Sequence, residues 1–138
     1  LKGFCNLARL SAVAGSLMVL PLLSGCGDNN PTTAPVSGTV TFNGEPLQAG
    51  TVIFTPKAGG PPAYGEIQSD GTYALTTFED GDGAVPGSHG VAVSAVEFKN
   101  PDLPVATTVI PMKYSSEQTS GLTAEVAEQD MNVVDLEL

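Results

Sequence analysis

The sequence is poor in the side chains that most protein chemistry uses. It has no tryptophan, one histidine, two cysteines and only 5 Lys plus Arg among 138 residues. After residue 26 the poverty deepens: no arginine, no cysteine, and lysine only at Lys57, Lys99 and Lys113. All 15 Asp and Glu lie in that same part, so a formal charge of −10 for the chain becomes −12 for residues 26–138. Sequence-independent nucleic-acid binding is thereby excluded, because neutralising phosphates takes clustered Lys or Arg. A typical catalytic zinc site needs three protein ligands, at least two of them nitrogens in most enzymes. His89 alone cannot provide them. A Ser-His-Asp arrangement would have to use the same histidine, and no nucleophile-elbow pattern accompanies it. His89 shares parity with Val91, Val93 and Ala95, which predicts a packing role on the core-facing side of a strand.

What is present begins with an address. Lys2 and Arg9 precede an uncharged apolar run from Leu10 to Leu23. The run is shorter than the ~20 residues needed to span a bilayer core, and suits the apolar region of a secretory signal. It ends in Leu23-Ser24-Gly25-Cys26, which resembles the bacterial lipobox. That resemblance implies lipid attachment to the Cys26 thiol and cleavage just before it, with small residues at Ser24 and Gly25 for the peptidase. The alternative is an ordinary secretory signal cut nearby, or an uncut anchor. Cys5 falls in the discarded segment, so no intrachain disulfide is expected in the mature chain. The expected division is 1–25 signal peptide, 26–35 lipidated cysteine and tether, and 36–138 a single domain. The tether is polar, carries Pro31 and Pro35, and lacks periodicity. The expected location is the cell envelope, after export across the inner membrane and anchored by lipid, with the choice of membrane left open.

From Val36 onward the pattern has period two. Val36, Val40 and Phe42 share one face, with Ser37, Thr39 and Thr41 on the other. Asn43-Gly44 is a hairpin signal, since both residues tolerate positive φ. Further strands are predicted over Thr51–Thr55, Ala63–Ile67, Thr72–Thr76, Gly90–Ala95 with an extension to Phe98, Leu122–Val126 and Met131–Leu138. The last places Val134, Leu136 and Leu138 on its inner face. No sustained helical stripe follows residue 26. About seven strands separated by turn signals predict an all-β chain, a single antiparallel β-sandwich.

The segments 36–47 (VSGTVTFNGEPL), 49–54 (AGTVIF) and 69–75 (SDGTYAL), in that order, resemble the carboxypeptidase regulatory-like domain. Segments 83–87, 110–114 and 119–122 resemble small bacterial lipoproteins that carry it. The resemblance covers roughly 36–138. It implies a transthyretin-like sandwich and no catalytic activity, that domain being the peptidase's non-catalytic companion. Hydroxyisourate hydrolases share the fold, but this chain has neither their mature arginine nor their C-terminal Tyr-Arg-Gly-Ser.

Three features remain as candidate sites. Glu79-Asp80-Gly81-Asp82-Gly83 is the densest acidic cluster, and alternating Asp and Gly can supply oxygen ligands to calcium. Asp80 and Asp82 would supply the charge, with Asp70 or Glu79 assisting; a solvated acidic turn is the favoured alternative. Lys113-Tyr114 could present a ligand contact in a long connection, against the favoured alternative of Tyr114 plugging the sandwich end. Pro61-Pro62-Ala63-Tyr64 could display a short extended segment, against a loop-stiffening role. The leading functional expectation is a lipid-anchored, non-catalytic domain with a structural or interaction role. The alternative is a binding module for glycan or peptide, with calcium as its one candidate cofactor. Expected partners are the membrane, through Cys26, and an unidentified envelope protein or glycan. A binding module should expose aromatics, for which Tyr64, Tyr114, Phe78 and Phe98 are available.

Overall fold

Alternation of apolar and hydroxyl side chains makes Val36–Phe42 the first strand, β1, with Val36 and Val40 buried. The computed structural model describes residues 29–98, 102 and 106–138. The expected signal peptide and the lipobox residues Leu23, Ser24, Gly25 and Cys26 lie outside them. Ten more strands follow: β2 (Glu45–Pro46), β3 (Gly50–Pro56), β4 (Ala63–Ile67), β5 (Thr72–Ala74), β6 (Gly87–Ser94), β7 (Val96–Phe98), β8 (Ala106–Thr108), β9 (Leu122–Val126), β10 (Asn132–Val133) and β11 (Leu136–Glu137). Between β8 and β9 lie a 3-10 turn at Met112–Ser115 and a one-turn helix, α1 (Glu117–Ser120). Among the described residues no helix is long and apolar enough to cross a membrane.

The chain is all-β and sandwich-like. One sheet is ordered β4-β3-β6-β9, every pair antiparallel. The other is organised around β1, which pairs with β2 and β5 antiparallel and with β10 and β11 parallel. β7 and β8 form a separate two-stranded ribbon. Both larger sheets feed one hydrophobic cluster. It contains Val36 and Val40 of β1, Val52 and Phe54 of β3, Ile67 of β4, Tyr73 of β5, Val91 and Val93 of β6, Val126 of β9 and Leu136 of β11. The fold also takes in the end of the expected tether. Ala34 bridges to Ala84 and is buried, and the Pro35 carbonyl accepts the Asn132 N–H at 2.9 Å.

The strand expected over Met131–Leu138 is divided. Its parallel ladder on β1 runs Val36↔Asn132 and Ser37↔Val133, breaks, and resumes at Val40↔Leu136. At the break the Val134 carbonyl turns toward the inner face of β1, where the buried Tyr73 hydroxyl donates to it at 2.6 Å. A phenol in a core needs such an acceptor. The Asp135 carboxylate receives the Thr39 N–H at 2.9 Å. Gly38 makes room: a Cβ there would lie 1.8 Å from the Val134 oxygen and 3.1 Å from the Tyr73 ring. Leu136 is buried, and Val134 and Leu138 pack against the core.

Turn chemistry agrees with the sequence at Asn43 (φ 53°) and Gly44 (φ 84°), the positive pair of a type I′ hairpin. Replacing Gly38 by alanine should force the Val134 carbonyl out of place and destabilise the fold by about 1–3 kcal/mol, the usual cost of overpacking. Tyr73→Phe, which removes only the hydroxyl, should cost about 1 kcal/mol. Urea denaturation of both variants checks the order; a neutral Gly38→Ala would contradict the close approach.

Candidate functional site

The β4–β5 hairpin carries the chain from one sheet to the other. Tyr64 and Thr76 exchange backbone hydrogen bonds of 2.9 and 2.8 Å at one end, and the Gln68 N–H reaches the Thr72 carbonyl at 2.8 Å at the other. Between these ties the strands leave the common plane. The inner side of Gly65 lies against β5, so that a Cβ would sit 2.9 Å from the Ala74 carbonyl and 3.1–3.2 Å from Leu75 and Tyr73. Asp70 closes the turn by accepting the Thr72 N–H at 3.0 Å and its hydroxyl at 2.6 Å. These bonds hold its carboxyl below the ordinary carboxylate value.

On the outside of this corner lies a groove of about 860 Å³. Its lining comes from Thr51 of β3, Tyr64 and Glu66 of β4, Thr72 and Ala74 of β5 and Ser37 of β1, together with Thr76 and Asp80 after β5. Tyr64 is 51% exposed. Tyr64 and Glu66 share a face because they are two apart on a strand whose burial alternates without exception. Among the described residues no Lys, Arg or His lines the groove.

The other sequence candidates are placed as follows. Asp82 turns onto its own loop: its carboxylate accepts the backbone N–H groups of Thr77 (2.7 Å), Phe78 (3.0 Å) and Glu79 (3.1 Å). Partial burial raises its pKa, and these three bonds outweigh the rise, so the carboxyl sits below its ordinary value. Asp80 borders the groove instead. Among the described residues no three His, Cys, Asp or Glu gather as a metal site. Tyr114 is buried and Lys113 exposed, its ammonium 4.6 Å from the Tyr114 ring centroid. Phe78 is 39% exposed, and the Phe98 side chain lies outside the description.

His89 is fully buried on β6, 5.8 Å from Phe54 between ring centroids. Its Nδ1 lies 3.0 Å from the Gly87 carbonyl, which can only accept, so Nδ1 carries the proton. Nε2 has no partner. Desolvation pushes the imidazole pKa below 6.5, against smaller opposing effects of the Gly87 carbonyl and Glu125.

Sequence reasoning had singled out Tyr64 and Asp80 for separate reasons and missed Ser37, Thr51, Glu66, Thr72 and Thr76. Their outward parity was readable; their meeting at a corner depends on the hairpin's change of sheet.

No family model and no curated protein matches the sequence. Among solved structures, a 9R-lipoxygenase from Cyanothece is similar with a TM-score of 0.40 and 16% identity, over 78% of this chain and 16% of that one.

His89 gives the domain's core a measurable pH response. The unfolded chain takes up a proton as pH falls through 6.5, and the folded chain, with its lowered pKa, resists it. Stability is therefore lost below 6.5, by at most about 1.4 kcal/mol per pH unit, until the folded pKa is reached. Unfolding at pH 7 and pH 5 should show a larger loss in the wild type than in His89→Phe. Equal losses would contradict a buried neutral imidazole.

Proposed function

We propose that this chain is a lipid-anchored, non-catalytic β-sandwich of the carboxypeptidase regulatory-like, transthyretin-like kind, held at the cell envelope and acting in structure or by interaction. The support for the anchor is sequence order: a basic start, an apolar run, Leu23-Ser24-Gly25-Cys26, then a polar tether. The observation that carries the role is positional. The fold begins at Ala34, eight residues after Cys26, a span of at most about 28 Å when extended. Ala34 is pinned to Ala84, and the groove lies on the outer surface of the domain so anchored, open to a partner. The membrane is one partner, through the Cys26 lipid; an envelope protein or glycan is the other.

A second reading, a binding module for glycan or peptide, is favoured by the groove, whose exposed Tyr64 stands among hydroxyl and carboxylate side chains. A calcium-assisted form of it would fall to Asp80, since the backbone N–H groups at 77–79 already occupy Asp82.

Stable attachment takes more than one acyl chain, which a diacylglyceryl thioether on Cys26 supplies. Cys26→Ser should release the domain from washed membranes or leave an uncut precursor, as fractionation and intact-mass measurement would reveal. A variant that partitions and matures like the wild type would contradict the anchor.

A further inference from the structure

The corner groove has the chemistry of a cation site without a cation. Tyr64 is half exposed in its lining, Glu66 follows on the same face of β4, and Asp80 lines the groove from the loop after β5. Neither carboxylate has a hydrogen-bond or ion-pair partner among the described residues; Glu66 is engaged through its backbone, opposite Thr51 in the β3–β4 ladder and by the Gln68 amide on its carbonyl at 3.3 Å. The remaining polar lining is neutral: the hydroxyls of Ser37, Thr51, Thr72 and Thr76, which accept as readily as they donate, the Gln68 amide, and Tyr73, whose own hydroxyl is taken up by the Val134 carbonyl. The described lysines, Lys57 and Lys113, lie outside the lining.

We propose that this groove binds the arginine or lysine side chain of an extended peptide segment, with Tyr64 as the platform and Glu66 and Asp80 as counter-charges. The inference rests on the ligand-binding reading and names its ligand class. A guanidinium stacks on a tyrosine face and pairs bidentately with a carboxylate, so one group satisfies both features. A neutral sugar could stack on Tyr64, but seating it would desolvate two carboxylates with no opposite charge to compensate, which is unfavourable. The groove follows β4 from Tyr64 to Gln68, about 13 Å at strand rise, enough for a short extended segment. The charge of −12 over residues 26–138 draws cationic ligands toward the whole domain, so a specific site must be separated from general attraction.

The test uses the full chain in detergent and a fluorescent peptide, acetyl-Gly-Arg-Gly-Arg-Gly-amide, read by anisotropy at physiological ionic strength, with chitotetraose as competitor. Tyr64→Ala leaves the charge unchanged and should weaken binding about tenfold, within the range of a desolvated cation–π contact. Glu66→Gln with Asp80→Asn should weaken it at least as much. Glu128→Gln with Asp130→Asn, an equal charge change at exposed positions outside the groove, should have little effect. Equal loss in that control, or full binding by Tyr64→Ala with an unchanged melting temperature, would overturn the proposal. Displacement by chitotetraose would overturn the cationic class and leave the ligand-binding reading standing. Failure of both probes to bind would overturn the two together, with the Cys26 anchor unaffected.

Discussion

A single buried hydroxyl organises the fold. Tyr73 enters the core beside Phe54, 6.3 Å between ring centroids, and its phenol must find an acceptor there. The acceptor is the Val134 carbonyl, at 2.6 Å. For that oxygen to reach inward, the C-terminal segment must leave the ladder at Val134–Asp135, and the strand beneath must have no side chain at Gly38. The displaced neighbour, Asp135, takes over the Thr39 N–H. Burial, aided by the Asp135 carboxylate, pushes the Tyr73 phenol well above its ordinary pKa, so it stays a donor throughout the physiological range. The two ends of the domain are thus joined through β1, whose two edges are both occupied.

The groove follows from the same arrangement. Tyr73 lies on β5, and β5 is held to β1 through Ser37↔Ala74, Gly38↔Tyr73 and Thr39↔Thr72. β4, its hairpin partner, is committed to β3 over five residue pairs. The hairpin must serve two sheets, and Gly65 lets the strands cross closely. The outer faces of β1, β3, β4 and β5, which carry Ser37, Thr51, Tyr64, Glu66 and Thr72, converge there. A surface that looks like ordinary solvated strand polarity in any one segment becomes a lined groove when four segments meet. Asp82 fastens the adjoining loop by its three backbone bonds, and Asp80 projects beside the groove.

Much of this was legible locally. The bounds of β1, β4 and β9 match the alternating segments residue for residue, because those strands have one buried and one wet face. The Asn43-Gly44 turn and the inward parity of His89 were readable for the same reason. The split of the last strand was not: its alternation continues through Val134 and Leu136, and only the distant Tyr73 and Gly38 explain the break. Parallel pairing of β1 with β10 and β11 is likewise invisible to a local pattern, as is the one-turn helix α1, too short for a periodic stripe. At the candidate site, Tyr64 and Asp80 each stood out by type, but their shared groove depends on contacts between segments far apart in sequence. Tyr114 lies in the 3-10 turn and is buried, in keeping with the favoured packing role and not with display to a ligand.

The most direct test is native-state hydrogen exchange on the full chain, read residue by residue. Asn132, Val134 and Leu138 donate their N–H groups to Pro35, Ser37 and Thr41 at 2.8–2.9 Å. If the Tyr73–Val134 contact unites the two ends, these three amides should exchange together with those of Val40 and Leu75, at the free energy of global unfolding. C-terminal amides that open independently, orders of magnitude faster than the β1 core, would show that the segment is an appendage and contradict the account.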